Sequence, residues 1–268
     1  MNAFKPKILH YESLPSTNNE AARFATLGAE EGLAVVADEQ TAGRGRLQRT
    51  WNSPKGAGLY CSVLLRPKIP MEQWPLITFA AAVSVNDALL EACNLQTDIK
   101  WPNDLLASER KICGILAEVI ETETGRAIVL GIGINLTVHS FPSELATAAI
   151  SVEEAIGHAP DSSKVFHCVL QAVARWYSLL NEFDGGEKVL AAWTSRSSYA
   201  EGKFVKVANG DEVFTGVTRG LKSDGALRLE TDNGLLVVRA GDVQSVRAVS
   251  NRLSDAPTKF SGSQRTLR

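Results

Sequence analysis

KWPNDLLASERKICGILAEVIETETGRAIVLGIGIN, residues 100–135, holds the two runs that decide the fold. Ile112 to Ile120 and Ala127 to Asn135 are long and apolar enough to be central strands of a sheet. Just upstream, Ile99-Lys100-Trp101 reads as a further strand. Before that, FAAAVSVNDALLEAC (79–93) carries its apolar residues at helical spacing, and Pro75 suits the first turn of that helix.

Working outward, Ile8 to Glu12 is an expected strand, and Thr17 with Glu20 matches a T-x-x-E capping box that opens a helix ending near Gly28. Leu33 to Asp38 and Leu59 to Leu65 are expected strands joined by a loop rich in Gly and Arg at 43–49. On the C-terminal side, a second capping box, Ser151 to Glu154, precedes an amphipathic helix from Ser162 to Phe183 and another from Glu187 to Thr194, both expected to pack on the sheet. Beyond Tyr199, Asn209-Gly210, Asp224-Gly225 and Asn233-Gly234 mark tight hairpin turns, which implies a small β-barrel of about five strands. The fold class is therefore α+β: a mixed sheet flanked by helices, residues 1–197, then a small barrel, 198–250. The polar segment 251–268 has no periodicity and reads as a disordered tail.

Bulk composition narrows the function. A length of 268 residues suits about two domains. The chain is 44% hydrophobic and 22% charged, an ordinary globular balance. Its net charge of -2 provides no global field for nucleic acid. The start, MNAFKPKILHYE, lacks a signal peptide's apolar stretch, and no run is read as long enough to span a bilayer, so a cytoplasmic protein is expected. Cys61, Cys93, Cys113 and Cys168 lack CxxC spacing and are read as buried thiols. His10, His139, His158 and His167 form no ligand pair, and no metal ligands can be named.

The chemistry concentrates in two strings. Gly43-Arg44-Gly45-Arg46-Leu47-Gln48-Arg49-Thr50-Trp51 sets three cations around two glycines and ends in an aromatic ring. Glycine lets the backbone approach an anion, and Arg gives forked hydrogen bonds to carboxylate or phosphate. Taken alone, GRGR is as well explained by a solvated basic loop or a nucleic-acid arm. With Gln40 upstream, however, the whole string resembles the ATP- and biotin-binding loop of biotin-protein ligases. Lys100-Trp101-Pro102-Asn103-Asp104-Leu105, followed by Arg110-Lys111 and Gly114-Ile115-Leu116, resembles the same family. So do Ser16-Thr17-Asn18, Gly131 through Asn135 and Gly220 through Leu227, and the likeness runs from about residue 8 to 248.

That resemblance implies a biotin/lipoate ligase-like catalytic domain with an SH3-like barrel. Biotin and ATP are the implied substrates, with Mg²⁺ on the phosphates. It implies biotin contacts from Ser16, Thr17, Asn18, Gln40, Gly43, Arg44, Gly45, Arg46, Lys111, Gly114 and Gly131, and ATP contacts from Arg44, Arg46, Arg49, Trp51, Lys100, Asn103 and Asn135. Lys111 and Arg44 are the implied catalytic cations, and Trp51 is placed to stack on adenine. The acceptor is a lysine of a biotin carboxyl carrier protein of acetyl-CoA carboxylase or a similar enzyme. Two departures stand out: no N-terminal DNA-binding domain precedes the first strand, so no DNA partner is expected, and Leu47-Gln48 stand where many relatives carry Arg-Gly. A lipoate-protein ligase is the nearest alternative, a nucleic-acid-binding module the more distant one. No membrane partner is expected, and an exposed sheet edge leaves room for a homodimer.

Overall fold

The computed structural model describes residues 6–209, 212–239 and 241–245. Seven strands form one sheet: β1 (Lys7–Tyr11), β2 (Leu33–Ala37), β3 (Gly58–Leu65), β4 (Asp98–Lys100), β5 (Asp104–Ala107), β6 (Arg110–Thr122) and β7 (Gly125–Asn135). Their order is β1-β2-β3-β7-β6-β5-β4, with β1 and β2 parallel and the other neighbours antiparallel. The two long apolar runs, β6 and β7, are adjacent interior strands, as their composition requires.

Strand alternation divides the sheet into two working faces. On β7, Ile128, Leu130, Ile132 and Ile134 point into the larger core, while Ala127 and Val129 join a smaller one. The larger core is covered by α2 (Leu76–Cys93), α4 (Ser162–Leu180) and α5 (Gly185–Thr194), the smaller by α1 (Thr17–Thr26). The smaller core ends where β7 changes from Ala and Val to glycine. In GIGIN the isoleucines fill the main core and the glycines leave the opposite face bare, so α1 stops there and a hollow begins.

Several expectations are corrected. The Thr17–Glu20 capping box does not form: Ser16 is the N-cap without a side-chain bond, Thr17 donates from its backbone N and its Oγ1 to Gln40 Oε1, and Glu20 is taken by Tyr11 and Arg23. Ser151 does cap, accepting from the Glu154 backbone N at 3.1 Å, but it caps only the short α3 (Val152–Ile156), and α4 has its own cap in Asp161. Helix α4 packs chiefly on α2 rather than directly on the sheet. Strand β5 was not anticipated. With a mean hydropathy of 1.5 over 18 residues, α2 is long and apolar enough to cross a membrane, contrary to the expectation that no segment is; it serves as a core helix, 67% buried.

Asp87 ties the helical layer together. It accepts from Arg175 Nη2 at 2.8 Å, Trp176 Nε1 at 2.8 Å and Arg196 Nη2 at 3.0 Å. Arg196 in turn accepts, through its carbonyl, from the Ile99 backbone N, so the cluster anchors the strand leading into residues 100–105. Asp87→Ala strands these donors and is expected to cost about 2–3 kcal/mol of stability, read as a lower urea midpoint with an unchanged slope.

The C-terminal unit is a five-stranded antiparallel sheet: β8 (Glu201–Asn209), β9 (Glu212–Leu221), β10 (Leu227–Thr231), β11 (Gly234–Val238) and β12 (Asp242–Ser245), ordered β11-β10-β9-β8-β12. Asp224-Gly225 and Asn233-Gly234 lie at hairpin turns. Gly210 of the third expected turn, and the segment 251–268 read as a tail, lie outside the described residues. Gly225 adopts φ +82 against α2, where a Cβ would come within 2.7 Å of Phe79 Cε2. Its carbonyl accepts from the buried Trp101 Nε1 at 3.0 Å, which seats the small sheet on the 100–105 segment.

Candidate active site

The hollow beyond α1 is a cavity of about 270 Å³. Its floor belongs to β6 and β7, where Gly114 pairs with Gly133 and Leu116 with Gly131. A side chain at either member of the Gly114–Gly133 pair would run into Trp51: a Cβ on Gly133 would lie 2.6 Å from Trp51 Nε1, and one on Gly114 would lie 3.0 Å from Trp51 Cζ3. The Trp51 ring therefore rests on bare backbone, with Lys111 Nζ 5.4 Å from its centroid. Its own Nε1 is buried without a hydrogen-bond partner among the described residues.

One wall is the β2–β3 loop, closed on itself by Trp51 N to Gly43 O at 2.9 Å, Gly45 N to Arg49 O at 2.6 Å and Arg49 N to Arg46 O at 3.2 Å. Within it Leu47 and Gln48 have φ of 55 and 58, a left-handed conformation that costs a non-glycine residue about 1–2 kcal/mol. The closed loop turns three arginines toward the cavity, and acidic or carbonyl groups hold each one. Arg44 Nη2 meets Glu118 Oε2 at 2.7 Å, Arg46 Nη1 meets Asn103 Oδ1 at 2.9 Å and Gly241 O at 3.4 Å, and Arg49 pairs with Asp242. Lys111 Nζ stands 2.7 Å from Asp104 Oδ1.

The opposite wall is the segment after β7. Lys111 N donates to Ala148 O at 2.8 Å and Ile150 N donates to Lys111 O at 3.0 Å, so the strap is stitched to the backbone of Lys111 itself. Phe141, Leu145, Ala148 and Ala149 make this end apolar. The other end is polar: Gln40 Oε1 accepts from Thr17, and Ser62 Oγ lies 2.7 Å from Thr17 Oγ1 and 2.6 Å from Asn18 Oδ1.

Two family models match the chain: the biotin/lipoate A/B protein ligase family over residues 11–135 and the biotin protein ligase C terminal domain over 202–245. The bifunctional ligase/repressor BirA of Bacillus subtilis is 37% identical over 245 residues, 88% of this chain and 73% of its own. The biotin--[acetyl-CoA-carboxylase] ligase of Paracoccus denitrificans is 34% identical over 236 residues, 85% of this chain and 96% of its own. The chain belongs to the biotin protein ligase family. Among solved structures, the biotin protein ligase from Aquifex aeolicus in complex with biotin and ATP aligns with this ligase at a TM-score of 0.80 and 29% identity, covering 91% of this chain and all of that one.

Of the residues singled out in this ligase's sequence, Ser16, Thr17, Asn18, Gln40, Arg44, Gly45, Arg46, Arg49, Trp51, Asn103, Lys111, Gly114, Gly131 and Asn135 all line the one cavity. Gly43 and Lys100 do not. Gly43 is buried beneath the loop, where a Cβ would lie 2.7 Å from Ser53 Oγ, so its place is structural. Lys100 pairs with Asp104 in the β4–β5 ladder, on the face opposite the core residue Ile99 and near the charges of Asp104, Lys111, Asp242 and Arg49, and burial holds its amine below the usual lysine range. Sequence reasoning missed Glu118, Asp242 and the strap residues Phe141 and Leu145. The thiols of Cys61 and Cys113 are pushed up by burial, Cys61 to about 12, which keeps both protonated and unreactive.

Proposed function

We propose that this cavity joins biotin to AMP and then passes the biotinyl group to a lysine of a biotin carboxyl carrier protein. The observation that carries the reading is the convergence of Arg44, Arg46, Arg49 and Lys111, from two distant stretches of chain, on one glycine-floored hollow. The polar end suits the ureido head, which presents a carbonyl acceptor and N–H donors to Ser16, Thr17, Asn18 and Gln40. The apolar end, with Trp51, Phe141 and Leu145, suits adenine.

In the first step a biotin carboxylate oxygen attacks the α-phosphorus of ATP, forming the mixed anhydride biotinyl-5′-AMP and releasing pyrophosphate. In the second, the carrier lysine's amine attacks the biotinyl carbonyl and AMP leaves. No side-chain nucleophile is needed, because biotin supplies the attacking oxygen. The obstacle is repulsion: at an effective dielectric near 20, two unit charges about 4 Å apart interact by roughly 4 kcal/mol. The four cations offset it. Each is held near the cavity before ligands arrive, so little reorganisation accompanies the reaction.

Mg²⁺ would add positive charge on the phosphates. Among the described residues no three His, Cys, Asp or Glu side chains come together. Asp104 and Asp242 are the carboxylates of the cavity lining, two rather than a cluster, so the donor set fits a metal that travels with the nucleotide. The cytoplasm is the compartment this reading assigns, and its four free thiols suit a reducing one.

ATP–pyrophosphate exchange, run in parallel with biotin and with lipoate, tests the reading: exchange is expected with biotin alone, and exchange driven by lipoate would overturn it. Arg44→Ala is expected to weaken biotin binding about tenfold, since it removes one charge-assisted contact to the carboxylate. Titration calorimetry checks this, and an unchanged affinity would take Arg44 out of the biotin contacts.

A further inference from the structure

Glu118 sits on β6, facing the cavity side of the sheet, half-buried. A single oxygen, Oε2, accepts from both Arg44 Nη2 and Asn18 Nδ2, each at 2.7 Å. Asn18 is 5% exposed, so the polarity of its amide cannot be averaged by solvent. A carboxylate can only accept, and this one obliges Asn18 to present its NH₂ group. The carbonyl end is then committed to the other side. There Asn18 Oδ1 lies 2.6 Å from Ser62 Oγ and rests over Gly131, where no Cβ excludes it.

We propose that Glu118 is a positioning residue for ligand recognition: by holding Asn18 Nδ2 it fixes Asn18 Oδ1 as an acceptor for an N–H of the ligand's urea. This deepens the biotin ligase reading and rests on it. Without Glu118, Asn18 Nδ2 keeps only the long contact to the Leu116 carbonyl at 3.4 Å, too weak a hold to stop the amide turning over and offering a donor where the ligand also offers one. That mismatch penalises the head of the ligand, whatever its tail carries. The shared contact to Arg44 acts in the opposite sense, because Glu118 competes with the ligand's own carboxylate for that guanidinium. Removing Glu118 therefore weakens a ligand without a carboxylate at least as much as biotin itself.

The experiment measures dissociation constants by calorimetry for biotin and for biotin alcohol, in which the carboxyl group is reduced to CH₂OH, with the full chain and its Glu118→Ala and Glu118→Gln variants. Glu118→Ala is expected to weaken both ligands about tenfold, the worth of one buried hydrogen bond to a charged group. Glu118→Gln retains an oxygen acceptor for Asn18 Nδ2, is close to isosteric, and is expected to recover both affinities to within about threefold. Three results overturn the proposal: Glu118→Ala binding both ligands like the parent, Glu118→Gln as weak as Glu118→Ala, or a loss confined to biotin, which would route the effect through Arg44. Failure of the parent chain to bind biotin at all would instead count against the biotin ligase reading, so the two failures are distinguishable.

Discussion

Lys111→Ala is expected to lower the rate of biotinyl-adenylate formation about a hundredfold or more, the usual worth of one preorganised donor aimed at developing transition-state charge. The preorganisation is visible in the backbone: residue 111 is bonded to the strap on both sides, and Asn135 Nδ2 donates to its carbonyl at 3.3 Å. Its Nζ stands over the Gly114 side of the floor, beside Trp51 and Asp104. In the proposed reaction, this ammonium would face the negative charge that builds as the carboxylate oxygen closes on phosphorus. The same substitution leaves Asp104 without its cation, and an added anion in the cavity would itself repel both substrates. Pairing Lys111→Ala with Asp104→Asn separates the two causes: recovery of no more than a fewfold is expected if the missing cation is what matters. Lys111→Arg should fall between, because a planar fork replaces a compact charge. Single-turnover measurement of adenylate with saturating biotin and ATP reads all three, and a near-normal rate for Lys111→Ala would remove it from the chemistry.

How much of this was legible in the amino-acid order depends on what each residue does. Continuous apolar runs located β2, β3, β6 and β7, and the GRGRLQRTW and KWPNDL strings marked the two stretches that meet at the cavity, because both depend on local pattern. Thr17 shows the limit of local pattern. Its spacing to Glu20 is that of a capping box, but Gln40, more than twenty residues away, offers an acceptor that captures the hydroxyl, and Tyr11 and Arg23 capture the glutamate. Glu118 and Asp242 carried no local signal, since each is an ordinary acidic residue on a strand until folding brings Arg44 or Arg49 beside it. Strand β5 escaped notice because four residues after a Pro-Asn turn are too few to show a period. Lys100 shows how near a residue can come without lining the space: alternation with the core residue Ile99 turns it to the cavity face, paired with Asp104, yet the lining includes Asp104 and not Lys100.

Gly131→Ala is expected to raise the Kd for biotin about thirtyfold or more, through a methyl group that never touches the reacting atoms. A Cβ on residue 131 would overlap Asn18 Oδ1 and come within 2.9 Å of Asn18 Cγ, and neither partner can easily yield. Residue 131 belongs to an interior strand paired on both sides, to Ser62 of β3 and Leu116 of β6. Asn18 is held by Ser62 at one end of its amide and Glu118 at the other, on the first turn of a helix packed against the sheet. The amide must therefore abandon one of these partners, and a buried polar group left unpaired costs about 1–3 kcal/mol before the lost ligand contact is added. Gly114→Ala provides the internal comparison. There the new Cβ meets Trp51 Cζ3 at 3.0 Å and Lys111 Cε at 3.2 Å, and a shift of a few tenths of an ångström by the lysine stem and ring relieves it. Calorimetry should therefore order the variants with Gly131→Ala far weaker for biotin and Gly114→Ala near the parent. The reverse order would mean that the ligand's head lies over the Gly114–Gly133 pair rather than beside Asn18.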